Sequence, residues 1–468
     1  MMREETPRNE YRRLSFWHHN LPEPIKPRAA LALETDADVA IVGAGYTGLW
    51  TAWYLKQISP TLDIAVLEAE IAGFGASGRN GGWCSSHLLG IHRWLDDPVH
   101  RDGALRLQRL MFQTVADIGR LVARESIDCH FEQSGGLDIA VLPQQLARLE
   151  REWAEFCELG FDGTDYRWLD AGETRDRVNV DGAMGSLLLN HCAAIHPARL
   201  ARGLADAVEQ AGVRIYEHSP VLERTGHELT TPQGKVSAET ILLATEGYST
   251  GWANPARRLI PVHSMMVATE PLSAGQLEST GLTRRCTFGN GDRVVTYGQL
   301  TADGRIAFGC RGTYQFGSGI RHDFDESDAD FDLVRQTLLR FFPALEGIRF
   351  THAWGGAMGV SRGLQASVNY DPAAKLGWAG GYFGSGVAAT HLAGQTLADL
   401  VTGQDTERVH TPWVNPPGAR RSWEPEPWRW MGIRYARAMM TFADRLEYRE
   451  GKLLPAVGAL VDRLRPDL

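Results

Sequence analysis

The alternation of apolar and polar positions changes period along the chain, and the first clear unit is strand, turn, helix, strand. Asp38-Val-Ala-Ile-Val42 is a short β-branched run, Thr47 to Lys56 (TGLWTAWYLK) has helical patterning, and Asp63-Ile-Ala-Val-Leu-Glu68 is a second short strand. Arg106 to Arg124 and Pro143 to Gly160 read as amphipathic helices around the strand Gly136-Leu-Asp-Ile-Ala-Val141. His196-Pro197 opens a helix to about Gln210, proline being favoured at the first helical position. Val213 to Tyr216, Val221 to Arg224 and Thr240 to Ala244 follow as strands. From Ile260 to Phe350, strand patterns such as HSMMVATE, DRVVTYGQL and GRIAFGCRG alternate with turns such as Ala302-Asp303-Gly304. Ala388 to Leu400 is a further helix, and the Pro/Trp-rich tail ends in two helical stretches expected to pack on their own protein.

The first turn carries chemistry. Gly43-Ala44-Gly45-Tyr46-Thr47-Gly48 stands between strand and helix. Gly43 permits the tight turn, Gly45 lets backbone approach a pyrophosphate, and Gly48 lets the helix pack on the strand. The helix start then offers free N–H groups to phosphates. Glu68 closes the second strand twenty residues after Gly48, where a carboxylate accepts ribose hydroxyl protons and disfavours a 2′-phosphate. The loop Gly73-Phe-Gly75-Ala76-Ser77-Gly78-Arg79-Asn80-Gly81-Gly82 comes next, where a nicotinamide enzyme would normally continue into a helix. Its small residues beside Arg79 and Asn80 suit backbone wrapped around an extended cofactor, and so point to FAD.

Composition narrows the class further. A chain of 468 residues, 43% apolar and 22% charged, is expected to form two or three domains and excludes wholesale disorder, coiled coil and collagen. The net charge of −9 argues against a nucleic-acid partner. Six cysteines lie far apart without CxxC spacing, so neither a zinc site nor a disulfide framework is expected, no metal is assigned, and a reducing cytoplasm is the expected location. The segment MMREETPRNEYRRLSFWHHN has charges where a signal peptide needs an apolar core. Val39 to Leu55 is uncharged for seventeen residues, but it contains three glycines and divides into two elements, so no transmembrane segment is expected.

The GAGYTG turn, Glu68, the GASGRNGG loop, Ala244-Thr245-Glu246-Gly247 and Gly380-Gly-Tyr-Phe-Gly384-Ser-Gly386 follow one another in order between residues 36 and 402. Through them the chain resembles the D-amino-acid-oxidase-like superfamily of FAD-dependent oxidoreductases, nearest the branch of γ-glutamylputrescine oxidoreductase, glycine oxidase and sarcosine oxidase. The resemblance implies an α/β fold, with a discontinuous Rossmann-like FAD-binding domain and an antiparallel-sheet α+β substrate domain. Its segments would be an arm (1–35), FAD-binding parts at 36–105, 195–259 and 351–405, substrate-domain parts at 106–194 and 260–350, and a tail (406–468). It places FAD against Gly43, Gly45, Tyr46, Thr47, Gly48, Glu68, Ala69, Gly75, Ala76, Ser77, Gly78, Arg79, Asn80, Gly81, Gly82, Trp83, Val221, Ala244, Thr245, Gly381, Tyr382, Gly384, Gly386 and Val387.

The expected reaction is oxidation of the C–N bond of an amine or amino acid, with hydride passing to flavin N5 and the imine hydrolysing. Electrons would then go to O2 or another acceptor. Substrate-pocket candidates are Tyr297 and Arg311 on roof strands, Trp354 and Arg362 on the segment leading back, and His263, with Met265 beside it. Arginine can clamp a carboxylate with two parallel hydrogen bonds, and aromatic rings can wall a cation. Arg79-Asn80 in the loop and Ala357-Met358-Gly359-Val360 after Gly356 leave no His or Cys for a flavin linkage, so non-covalent FAD is expected. None of the five lysines falls on a roof strand, which favours slow reaction with oxygen. A flavin monooxygenase and a non-catalytic flavin-binding scaffold are the alternative readings.

Overall fold

The strand Thr35–Val42 is buried from Val39 onward, on both faces, as a strand inside a parallel sheet must be. It pairs in parallel with Ile64–Leu67 on one side and Lys235–Leu243 on the other. Arg214–Tyr216 and Leu376–Gly380 extend the two flanks in parallel, and Ser367–Asp371 closes one edge antiparallel. Strands adjacent in this sheet thus come from three separated stretches of sequence. The helices Tyr46–Ile58 and Gly386–Thr402 pack against one another on this unit, both buried along most of their length. The computed structural model describes residues 11–249, 251–253, 257–282, 284–416, 421–451, 453 and 455–462. Residues 1–10 of the expected arm, and 417–420, 452, 454 and 463–468 of the tail, lie outside the described residues.

A second sheet has the order Phe350–Ser361, Leu259–Thr269, Ile306–Cys310, Thr296–Leu300, Thr287–Asn290, Gly136–Ala140, Gly185–Leu189, Tyr166–Asp170. It is antiparallel except where Thr287–Asn290 runs parallel to Gly136–Ala140. Phe350–Ser361 differs from expectation: residues 351–361, read as part of the FAD-binding segment, pair along their whole length with Leu259–Thr269. The helix Asp332–Phe341 covers one face of this sheet over an aromatic core that includes Phe288, Phe308 and Phe341. The other face looks toward the first sheet.

The described part of the N-terminal arm, from Tyr11 onward, is folded. Ser15 caps the short helix Phe16–His19, and Phe16, Trp17 and His18 are buried. Trp17 Nε1 donates to the carbonyl of Asn80 at 2.8 Å, so the arm braces the glycine loop. The tail forms helices Trp428–Glu450 and Pro455–Asp462. No helix among the described residues is long and apolar enough to cross a membrane.

Candidate cofactor and substrate site

Between the two sheets lies a cavity of about 990 Å³. Its floor begins at the glycine turn. Gly43 has φ +106°, a conformation closed to ordinary L side chains, and a Cβ on Gly48 would stand 2.0 Å from the Gly43 carbonyl oxygen. The helix Tyr46–Ile58 therefore starts against the end of the first strand. Ser77 Oγ accepts from Tyr46 N at 2.9 Å, and Asn80 Oδ1 accepts from Gly82 N at 2.8 Å while its amide donates to Ala76 and Ser77 carbonyls. The loop is held by its own Ser77 and Asn80, whose short polar side chains reach the backbone around them.

Glu68 meets this turn from the second strand. Its two oxygens accept from Ala44 N at 2.8 Å and Glu70 N at 3.0 Å. Burial pushes its carboxyl up to about 7 against those two bonds, which favour the ionised form. A second carboxylate, Glu246, ties three strands together. It accepts from the N–H groups of Gly359, Gly381 (2.9 Å) and Tyr382 (3.2 Å), and burial pushes it, too, up to about 7. Tyr382 OH in turn lies 3.2 Å from Thr47 Oγ1, joining the late glycine turn to the first helix.

Most of the residues expected at the cofactor line the cavity: Gly43, Gly45, Tyr46, Thr47, Glu68, Ala69, Gly75, Ala76, Ser77, Arg79, Asn80, Gly81, Trp83, Val221, Ala244, Thr245, Tyr382, Gly384, Gly386 and Val387. Gly48, Gly78, Gly82 and Gly381 do not; they sit behind the lining, packed against backbone or neighbouring side chains.

Of the substrate-pocket candidates, Tyr297 and Arg311 line the cavity. Tyr297 OH hydrogen-bonds Ser264 Oγ, and burial pushes its hydroxyl up to about 12. Arg311 stands over the ring of Phe383, 5.2 Å from its centroid. The other three do not line it. Trp354 shares a strand face with Gly356, but Phe16 and Trp17 of the arm cover its part of that face, and its Nε1 donates to Arg79 O at 2.9 Å. His263 faces away, as residues next to Ser264 on a strand must, and its Nε2 accepts from Arg321 N at 2.9 Å. Met265 likewise belongs to the core on the other face. Arg362 lies one residue past the strand and pairs with Glu424 at the surface. Sequence reasoning passed over Glu246, Tyr248, Trp252, Met358 and Phe383, all of which line the cavity. Glu246 and Phe383 lay inside quoted motifs and Met358 in the quoted stretch after Gly356, without being singled out; Tyr248 and Trp252 carry no local signal.

The walls fit FAD. Arg79 is 1% exposed and lines the cavity, yet among the described residues it hydrogen-bonds only to the neutral carbonyls of Phe74, His322 and Gly355, lies 4.6 Å from the Phe74 ring centroid, and its Nη2 has no partner. A buried guanidinium held by neutral groups calls for an anion, and the helix start beside it has the same demand. Tyr248 OH is also buried at the cavity wall without a hydrogen-bond partner among the described residues.

The family profile for DAO, FAD dependent oxidoreductases, matches residues 38–400. The chain belongs to the DAO family of FAD-dependent oxidoreductases. It is 33% identical over 383 residues to γ-glutamylputrescine oxidoreductase of Escherichia coli strain K12, covering 79% of this chain and 84% of that protein. It is 21% identical over 391 residues to a sarcosine oxidase subunit beta of Rhodobacter capsulatus, 78% and 86% covered. Among solved structures, glycine oxidase from Geobacillus kaustophilus superposes with a TM-score of 0.64 at 20% identity, over 79% of this chain and 96% of that one. L-proline dehydrogenase from P. horikoshii gives 0.65 at 17%, over 81% and 96%. The DAO fold of two sheets enclosing one cofactor cavity is thus the fold of this chain.

Proposed function

We propose that this DAO-family enzyme oxidises the C–N bond of an amine or amino acid to an imine that hydrolyses. One observation carries the reading: a single cavity is lined both by the dinucleotide turn and by Ser264, Tyr297 and Arg311 of the second sheet. The names of relatives, which refer to γ-glutamylputrescine, sarcosine and glycine, support the substrate class. Bound FAD supplies the acceptor for the hydride that leaves the carbon next to nitrogen. The protein's part is binding and orientation. Gly43, Gly45 and the helix start hold phosphates, Glu68 accepts ribose hydroxyls, and Arg79 faces negative charge. Trp83 and Tyr297, with ring centroids 6.1 Å apart, wall the amine in a water-poor space, and Arg311 pairs with a substrate carboxylate.

The loop residues 75–82 and positions 357–360 contain no His or Cys, which supports non-covalent FAD. No lysine is among the described residues lining the cavity, which supports slow reoxidation by O2. The test is anaerobic addition of amines and amino acids to the yellow protein. Bleaching of the flavin band near about 450 nm supports the reading, and air re-admission separates oxidase from dehydrogenase. A flavin that none of them bleaches refutes it.

A further inference from the structure

The tail helix Trp428–Glu450 presents two opposite faces. Its inner face is tied to the rest of the chain. Asp444 accepts from Arg293 N at 3.1 Å and Val294 N at 3.0 Å, and Arg148 Nη1 donates to both oxygens of Glu447, at 3.1 and 3.2 Å. Arg429, Ala443, Asp444 and Glu447 are the buried residues of this helix. A helix anchored this way normally sets charged and polar residues on its outer face. Here the outer face carries Trp428, Met431, Tyr435 and Phe442, exposed by 67%, 50%, 53% and 52%. The helix lies beyond residues 38–400, which the family profile matches.

The outer residues have heptad spacing. Trp428, Met431, Tyr435, Ala438, Phe442, Arg445 and Arg449 follow at intervals of three and four residues, and all are exposed. At about 3.6 residues per turn they make one stripe along the side away from the buried residues. The first five positions are aromatic or apolar and the last two are cationic. At roughly 150–250 Å² for a whole aromatic side chain, the three rings leave roughly 260–430 Å² in water. That is already the size of the largest apolar patch on a typical monomer, roughly 300–600 Å².

We propose that this stripe is an interface between two copies of the chain, with the helices antiparallel. The order of residues along the stripe selects both the partner and the direction. With a twofold axis between positions 436 and 437, Trp428 faces Arg445 of the second copy, Met431 faces Phe442, and Tyr435 faces Ala438. Each contact is complementary: a guanidinium over an indole, a thioether against a ring, a large side chain in the space a small one leaves. The twofold repeats all three along the pair. A parallel pair would instead set Arg445 against Arg445 and Arg449 against Arg449, opposing like charges. A lipid surface does not match the stripe. Interfacial helices keep their arginines on the polar face, whereas Arg445 and Arg449 stand within the stripe, and the net charge of −9 opposes anionic lipid. Over both copies the rings cover roughly 500–900 Å². Met431 and the arginine stems bring the contact toward the roughly 1,200 Å² at which specific interfaces begin, so the dimer should form at micromolar concentration.

The FAD-loaded full chain is followed by sedimentation velocity from about 1 to 100 µM, and its mass should double across that range. Tyr435→Glu and Phe442→Glu should each raise the dimer Kd about tenfold or more. Far-UV circular dichroism and FAD absorbance should stay as in wild type, since both side chains already stand half in water. Leu33→Glu, exposed just before the first sheet, is the control and should change nothing. Direction is read by disulfide capture in a Cys157→Ser background, which removes an exposed native thiol. Met431→Cys with Phe442→Cys in one chain should give an oxidised dimer, and neither alone should. Eleven residues separate the two by about 16.5 Å along one helix, so the link forms only between copies. The proposal is overturned by a chain that stays monomeric at about 100 µM, or by a dimer that either glutamate variant leaves intact. A double-cysteine variant that gives no oxidised dimer, or single variants that cross-link as readily as the double, also overturn it. So does a monomer that sediments with phosphatidylserine vesicles and is released by Tyr435→Glu, since the stripe then docks on lipid. No readout here uses substrate, so the amine-oxidation reading stands or falls separately.

Discussion

Replacing Arg79 with methionine tests the cofactor assignment through two effects of opposite sign. In the protein alone, the guanidinium is buried, and only its Nε bond to Phe74 O has good length, at 2.9 Å; the bonds to His322 O and Gly355 O are 3.4 and 3.5 Å. One good hydrogen bond contributes about 1 kcal/mol net, and the Phe74 ring, 4.6 Å from the guanidinium, about 1 more. Burying a cation without an ionic partner costs several kcal/mol, and methionine fills much of the stem's volume without that cost. The FAD-free variant should therefore be at least as stable as wild type, against the usual outcome of changing a buried side chain. FAD affinity should fall. A hydrogen bond to a charged group is worth about 1.5–3 kcal/mol, so Kd should rise roughly 10- to 150-fold. By linkage, the stabilisation FAD gives the wild type should shrink by the same energy. Urea melts with and without FAD, and titration of the FAD-free protein by flavin fluorescence, read both effects. A variant destabilised by more than about 2 kcal/mol that binds FAD normally would make Arg79 a structural cation and refute the reasoning.

Gly48→Ala places a Cβ 2.0 Å from a backbone oxygen that cannot move without opening the turn, so it should cost about 3 kcal/mol or more and yield protein without yellow colour. Glu68 and Glu246 are both raised from 4.5 to about 7, so between those values the FAD-free fold holds protons that the unfolded chain has lost. Stability from these groups is full below about pH 4.5 and is lost as pH rises through 7, by about 1–3 kcal/mol each, and Glu246→Gln should flatten that fall in a urea-melt series. Arg362→Ala breaks a surface pair with Glu424 and a contact with the Trp423 ring, 5.2 Å from its centroid, and should leave flavin reduction unchanged and stability within about 1 kcal/mol. Arg311→Met should instead raise the Kd of carboxylate-bearing substrates by about tenfold or more in the same reduction assay.

What the sequence made legible was whatever one short stretch of backbone decides. The turn at Gly43 to Gly48, the carboxylate at Glu68 and the self-stapled loop around Ser77 and Asn80 each depend on neighbours within a few residues, or on one adjacent strand, and all of them frame the cavity. Trp354, His263 and Arg362 depend on more. Strand alternation assigns Trp354 the face it does occupy, but whether that stretch of the face is open depends on Phe16 and Trp17, more than 300 residues earlier. His263 is decided by strand phase relative to Ser264, and Arg362 by a carboxylate 62 residues later. Glu246 shows the converse case. Its motif was visible, but its three N–H donors lie 113 to 136 residues further on, and only the meeting of two sheets brings them together. Trp354 still bears on the site through the carbonyl of Arg79, to which it donates. A residue set aside as a wall of the pocket thus holds the backbone of the cation the cofactor needs, and its loss should be felt in FAD affinity before it is felt in substrate binding.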